Sequence, residues 1–121
     1  MTTSTSGHRG LLEISSVTVG FRRVLSLEGE VDVATVPALR AALKEARESG
    51  ERDIWIDLTN VGFLDSSGVS ALVEADRAFS REHRRFAVIC PPGPVRRVLE
   101  LTGLDKELAL FHTRADAQRL S

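Results

Sequence analysis

The sequence predicts a single α/β domain, built on a mostly parallel sheet of four to five strands with an antiparallel edge strand and about four helices. Three observations support this prediction. The chain of 121 residues is long enough for one domain with one hydrophobic core. Short apolar runs alternate with segments in which apolar residues recur every three or four positions, as in βα units. A tight link between the first two predicted strands indicates an antiparallel hairpin.

The first predicted elements are two strands and a helix. Residues 1–10 are rich in Ser, Thr and Gly and are expected to form a flexible tail, which leaves residues 11–121 for the domain. Apolar residues from Leu12 to Val19 predict one strand, Gly20 a turn, and Val24 to Leu27 a second strand. The helix is predicted by the apolar face Val36, Leu39, Leu43 and Ala46, with Thr35 as its N-cap, Pro37 in its first turn and Gly50 as its stop.

The rest of the chain alternates between strands and helices. Further strands are predicted at Ile54–Leu58, Phe86–Cys90 and Leu108–Phe111. The first two are apolar on both faces, which is typical of central strands with covered faces. Helices are predicted from about Val69 to His83, after Pro94 with Val95, Val98 and Leu99 facing inward, and from a Thr113–Asp116 capping box through Leu120.

Composition and charge exclude several classes of function. Sixteen basic residues against seventeen acidic ones give a net charge of −1, whereas nucleic-acid and anionic-membrane binders need an excess of basic residues. No apolar run approaches the roughly 18 to 20 residues of a membrane span. Cys90 is the only cysteine and the three histidines are scattered, so neither a disulfide nor a metal site is predicted. The absence of an apolar leader at the start favours a cytoplasmic protein.

Two loops are the candidate site, because sites in open α/β sheets lie at the carboxyl ends of the strands. One predicted loop follows the second strand (Glu28 to Thr35) and the other follows the third (Thr59 to Gly68). Both carry acidic and hydroxyl residues. In the second loop, small polar residues open a helix, where unpaired N–H groups and the helix dipole favour an anion such as a phosphoserine.

The segment from Asp57 to Val69, with Asp65-Ser66-Ser67-Gly68 at its centre, resembles the signature of anti-sigma-factor antagonists of the STAS domain family. Gly29-Glu30-Val31-Asp32 is similar to the acidic loop of that family, and Leu101-Thr102-Gly103-Leu104 to its C-terminal pattern. The resemblance covers nearly the whole chain from about Leu11 onward.

The resemblance implies a protein without enzymatic activity or cofactor that switches between partners. An unphosphorylated antagonist of this kind binds an anti-sigma factor, which is a serine kinase of the GHKL type, and so releases the sigma factor. The kinase ends the interaction by phosphorylating a serine, and a PPM-type serine phosphatase restores it. By motif position the phosphorylated serine is Ser66. The expected partner-binding residues are Asp32, Asp65, Ser66, Ser67 and Gly68.

Several of these residues also have a purely structural interpretation. Ser66 can be a helix N-cap, Asp65 can be that cap instead, and Ser67 is the rival phosphorylation site. Asp32 can be a turn former, and Gly68 can relieve local strain or allow a close approach of another chain. These alternatives stay open at the level of the sequence.

Other functions are less consistent with the sequence. No histidine is suitably placed for serine hydrolysis, and neither glycine-rich nucleotide fingerprint is present. A phosphorelay receiver would use Asp57, but such domains need an early acidic pair and a late lysine that this chain does not clearly offer. A small STAS subunit of a lipid-transport ABC complex is a further alternative, although those versions often depart from the Asp-Ser-Ser-Gly context.

Overall fold

The computed structural model describes residues 2–5 and 12–119, which form an α/β domain. The strands are β1 (Thr2–Thr5), β2 (Leu12–Val19), β3 (Arg22–Val31), β4 (Asp53–Leu64), β5 (Arg85–Ile89) and β6 (Ala109–Phe111). The helices are α1 (Val36–Ser49), α2 (Ser66–Arg81), α3 (Pro94–Leu101) and α4 (Arg114–Arg119). The predicted fold class is confirmed, and so are the positions of the five strands from β2 onward and of the four helices.

The strands lie in the sheet in chain order, from β1 to β6. The pairs β1–β2 and β2–β3 are antiparallel, and the pairs β3–β4, β4–β5 and β5–β6 are parallel. Strand β1 makes the sheet six-stranded rather than four- to five-stranded, because Thr2–Thr5 pairs with the otherwise open edge of β2. These four residues belong to the segment predicted to be a flexible tail; the rest of that segment lies outside the described residues, as does Leu120.

Strands β3 and β4 are longer than the sequence pattern predicts. Each continues into the segment expected to be a loop, β3 as far as Val31 and β4 as far as Leu64. Their pairing shifts register between Ser26 and Glu28 and again between Gly29 and Glu30. Gly29 has a φ of 123°, which favours glycine. Because bulges interrupt the period-two alternation of apolar residues, the predicted strands end too early.

The two faces of the sheet are covered unequally. Helices α1, α2 and α3 pack on one face and form the larger core, in which Phe79 stacks on Phe86 with 5.6 Å between ring centroids. The other face carries a smaller cluster around Trp55, to which α4 contributes Ala117. The larger core holds α1 and α2 against β3 and β4 and thereby fixes where these helices begin.

Candidate functional site

The two predicted site segments lie side by side at one edge of the sheet. Val31 and Leu64, the last residues of β3 and β4, are partners in the parallel register. The backbone N–H of Asp65 donates to the carbonyl of Val31 at 3.1 Å, and Val31 is followed at once by Asp32. The structure therefore brings Asp32 and the Asp65–Gly68 segment together, as the carboxyl-end rule predicts.

Asp65 caps helix α2. Its carboxylate accepts hydrogen bonds from the backbone N–H groups of Ser67 (2.9 Å) and Gly68 (3.2 Å). The hydrogen bond from the Ser67 hydroxyl, followed by these backbone donors, lowers the pKa of Asp65 below its ordinary value of 3.8. Of the two candidate caps, Asp65 has this role and Ser66 does not.

Replacing Asp65 by alanine is expected to lower the free energy of unfolding by about 0.5–2 kcal/mol, since a capping side chain is lost. Asp65→Asn keeps the cap but removes the charge, so it serves as the matched variant. Because the folded-state pKa is lowered, the charge stabilises the fold above pH 3.8, and this contribution disappears as the pH falls through the folded-state pKa. Urea denaturation should show the wild type losing its advantage over Asp65→Asn toward pH 3; a constant difference would contradict this.

The two serines of the motif differ in their surroundings. Ser66 is the first residue of α2, is exposed, and makes no hydrogen bond through its hydroxyl within the described part of the chain. Ser67 is half-buried, and its hydroxyl donates to Oδ1 of Asp65 at 2.5 Å. A phosphoryl donor can therefore reach Ser66 without breaking a structural hydrogen bond, whereas modification of Ser67 would remove a donor from the cap.

Gly68 is a packing position beneath this surface. It is buried, and a Cβ atom added there would lie 2.4 Å from Cδ1 of Leu64 and 2.7 Å from Cγ1 of Val31. The missing side chain lets the first turn of α2 sit directly on the ends of β3 and β4. The close approach that the sequence suggests is made within this chain; a contact of Gly68 with a partner stays a prediction.

Asp32 forms the turn that leads from β3 into α1. Its carboxylate accepts hydrogen bonds from the N–H groups of Ala34 (2.9 Å) and Thr35 (3.0 Å). Thr35 occupies the predicted N-cap position, but its hydroxyl is buried and donates to the carbonyl of Glu30 instead of capping the helix. Asp32 itself is half-buried, so the carboxylate that shapes the turn stays partly accessible.

Two exposed apolar residues beside the motif are not predicted from the sequence. Val33 is 76% exposed and Phe63 is 48% exposed. Val33 follows Asp32, and Phe63 pairs in register with Glu30 on β3. Exposed large apolar side chains grouped at one place are typical of contact surfaces. These two residues could have been identified from the sequence because they are apolar and lie inside segments that the sequence predicts to be polar loops.

Asp57, the candidate phosphoacceptor of the receiver alternative, lies elsewhere. It is in the middle of β4, and Oδ2 accepts from Nε of Arg114 on α4 at 2.6 Å. Burial raises the pKa of Asp57, and hydrogen bonds from Thr59 and Arg114 lower it. The lowering effect is larger, so the pKa of Asp57 falls below its ordinary value. A carboxylate occupied in this way links α4 to the sheet and does not form part of the Ser66 site.

Residues 2–5 and 12–119 contain neither a candidate metal site nor a candidate membrane-spanning helix. No group of three or more His, Cys, Asp or Glu side chains is arranged there to hold a metal ion. None of the helices in that part of the chain has the length and apolar character needed to cross a bilayer. Cys90 is buried, and burial raises the pKa of its thiol to about 11, which makes it a packing residue and not a nucleophile.

The fold and this edge of the sheet agree with one family of regulatory domains. The model of the STAS domain matches residues 11–117, and the chain belongs to the STAS domain family. It is 36% identical over 76 residues to the anti-sigma-B factor antagonist of Staphylococcus aureus, an alignment that covers 63% of this chain and 70% of that protein. The resemblance found in the sequence is thus confirmed at the level of the family.

Solved structures give the same result. The crystal structure of an anti-sigma factor antagonist from Mycobacterium paratuberculosis has a TM-score of 0.85 at 30% identity, covering 90% of this chain and 92% of that chain. The anti-sigma factor antagonist SpoIIAA in its unphosphorylated form has a TM-score of 0.73 at 25% identity, covering 88% of this chain and 95% of that chain. These proteins share the whole domain with this chain and not only its motif.

Proposed function

We propose that this protein is a cytoplasmic anti-sigma-factor antagonist whose partner binding is controlled at Ser66. In the unphosphorylated form it binds an anti-sigma factor serine kinase of the GHKL type, which then releases its sigma factor. Transfer of a phosphoryl group from ATP to the Ser66 hydroxyl ends this binding, and a PPM-type serine phosphatase restores it. The observation that carries the proposal is the exposed hydroxyl of Ser66 at the start of α2, which makes no hydrogen bond to residues 2–5 or 12–119.

The surface around Ser66 has the composition of a contact surface. Val33 and Phe63 supply apolar area that is exposed in the free protein, and aromatic residues such as Phe63 are enriched at interfaces. Asp32 and Asp65 give the same surface a negative charge, which favours a partner with basic residues. The backbone hydrogen bond from the N–H of Asp65 to the carbonyl of Val31 joins the two segments, so the surface is formed before any partner arrives.

Phosphorylation would act on this surface through charge. A phosphoserine carries about −1.5 to −2 charges at neutral pH. At the N-terminus of α2 this charge is compatible with the helix dipole, so the domain stays folded. Across a docked interface the dianion would add to the charges of Asp32 and Asp65 and would be buried against a surface that fits a hydroxyl group. Such burial costs several kcal/mol unless new cations meet it, and about 1.4 kcal/mol already changes affinity tenfold.

A pull-down with unmodified and Ser66-phosphorylated protein as baits tests this function. The unmodified bait is expected to retain an anti-sigma kinase, identified by mass spectrometry, that the phosphorylated bait does not retain. A Val33→Ser bait should retain less of it, whereas Val19→Ser, where the valine is 68% exposed on β2, should behave like the wild type. Equal retention by both phosphorylation states would contradict the proposal, and recovery of an ABC transporter subunit would indicate the lipid-transport role instead.

A further inference from the structure

A second candidate site lies on the face of the sheet that α4 covers only in part. Here the parallel register places Arg22, Asp53 and Arg85 in one row across β3, β4 and β5. The next row is apolar and consists of Val24, Trp55, Ala87 and Ala109. Helix α4 packs farther along the strands, where Arg114 reaches Asp57. Val24, Trp55 and Ala87 of this row are buried, and the row opens at Ala109, which is exposed.

A cavity of about 270 Å³ occupies this open region. Its apolar lining comes from three aromatic residues, Trp55, Phe86 and Phe111, and from small side chains at Ala87, Ala109 and Ala117. Because the side chains of the three alanines are small, they leave a cavity that larger side chains would fill. This volume is close to the lower limit of about 300 Å³ that is typical of pockets for small molecules.

A second cavity, of about 390 Å³, adjoins the first and is polar. It shares Asp53 and Arg85 with the apolar cavity and adds Arg52, His83 and Phe21. Phe21 is 74% exposed in the turn between β2 and β3. The two cavities thus meet at Arg85, with an apolar compartment on one side and a mostly basic one on the other.

The basic compartment has positive charge that the fold does not neutralise. The N–H of Arg85 donates to the carbonyl of Arg52 at 2.8 Å, which places these two exposed residues next to each other. Neither guanidinium makes an ion pair with a carboxylate of residues 2–5 or 12–119. The nearby Asp53 is engaged by Arg22, with 3.4 Å between Oδ2 and the nitrogen. An anion between Arg52 and Arg85 would reduce their mutual repulsion and accept hydrogen bonds from both.

We propose that these joined cavities bind an amphipathic organic anion, namely a medium-chain carboxylate. Its hydrocarbon chain would lie between Trp55, Phe111 and the three alanines, and its carboxylate would be held by Arg85 and Arg52. The chain removes apolar surface from water, and the planar guanidinium groups match a carboxylate geometrically. The site lies at the opposite ends of the strands from Ser66, and ligand binding does not depend on the proposed partner switch.

Titration with sodium decanoate below its micelle concentration, followed by calorimetry and by NMR amide shifts, tests this site. Decanoate is expected to bind and to shift the amides of Arg85, Ala87 and Ala109, whereas acetate and decanol should bind much more weakly. Arg85→Gln should weaken decanoate binding by about tenfold or more, since a charge-assisted hydrogen bond is lost. Arg97→Gln removes an exposed arginine of α3 and serves as the matched control, which should leave the affinity unchanged.

Two further variants keep the test decisive. Ala109→Phe, at an exposed position on the edge of the cavity, should block binding while circular dichroism shows the fold intact. Leu120→Ser removes the apolar residue that follows α4 in the sequence. The proposal would be overturned if decanoate bound only to the Leu120→Ser variant, if it bound wild type and Arg85→Gln equally, or if it caused no shifts near Arg85.

Discussion

Ser66→Asp is expected to weaken the binding of the anti-sigma kinase at least about tenfold, which corresponds to about 1.4 kcal/mol. The substitution places a negative charge at the first residue of α2, next to Asp32 and Asp65. The only group that it removes is the exposed hydroxyl of Ser66. Phosphorylation should have a larger effect, because it adds about −1.5 to −2 charges in place of one. Calorimetric titration of the purified kinase domain with each form measures these differences directly.

Two controls separate charge from other effects in this experiment. Ser66→Ala should bind with nearly wild-type affinity, because the Ser66 hydroxyl makes no hydrogen bond within the described residues, and it should not be phosphorylated by the kinase with ATP. Ser70→Asp places the same charge on another exposed serine of α2, one turn farther from the helix start, and should cost much less affinity. Equal affinities for the wild type, Ser66→Ala and Ser66→Asp would refute the electrostatic switch.

Gly68→Ala is expected to lower the free energy of unfolding by about 1–2 kcal/mol. In an open helix position this substitution would stabilise the protein by about 0.5–1 kcal/mol, because alanine favours the helix. Here the added Cβ would lie 2.4 Å from Leu64 and 2.7 Å from Val31, so buried side chains of both strands must move, at a typical cost of 1–3 kcal/mol. The net effect is unfavourable, and it falls on the contact that positions Ser66.

The matched variant for this prediction is Gly62→Ala on β4. An added Cβ at Gly62 has no neighbour within 4 Å, so its free energy of unfolding should change by less than about 0.5 kcal/mol. Urea denaturation of both variants gives the comparison. A Gly68→Ala protein as stable as the wild type would show that α2 can shift away from β3 and β4 without cost. It would also show that the close packing described here does not fix the site.

Local sequence signals account for much of this structure. The apolar face of α1 and the glycine at its end are sufficient to place that helix, and Gly50 indeed adopts a φ of 92° at the C-cap. The rule that sites follow the carboxyl ends of parallel strands brings Asp32 and Ser66 together before any coordinates are known. The choice of Ser66 over Ser67 comes from the family resemblance, and the free Ser66 hydroxyl supports it.

The remaining features depend on contacts between residues far apart in the sequence. The ion pair of Asp57 with Arg114 joins residues 57 positions apart, and no periodic pattern predicts such a pair. The hydrogen bond from the N–H of Asp65 to the carbonyl of Val31 depends on the bulged register of β3 and β4, which also extends both strands past their apolar alternation. Val33 is exposed in the turn after β3 and Phe63 near the end of β4, and neither exposure follows from a periodic pattern in the sequence.

The sequential order of the strands has a consequence for synthesis on the ribosome. Each new strand pairs with the strand made just before it, so no segment has to wait for a distant partner to be translated. The central strands that carry the Ser66 edge can pair once residue 64 and the following helix have emerged, while β6 and α4 are added last at the outer edge. Nascent chains can therefore form the end of the sheet that carries Ser66 before translation ends.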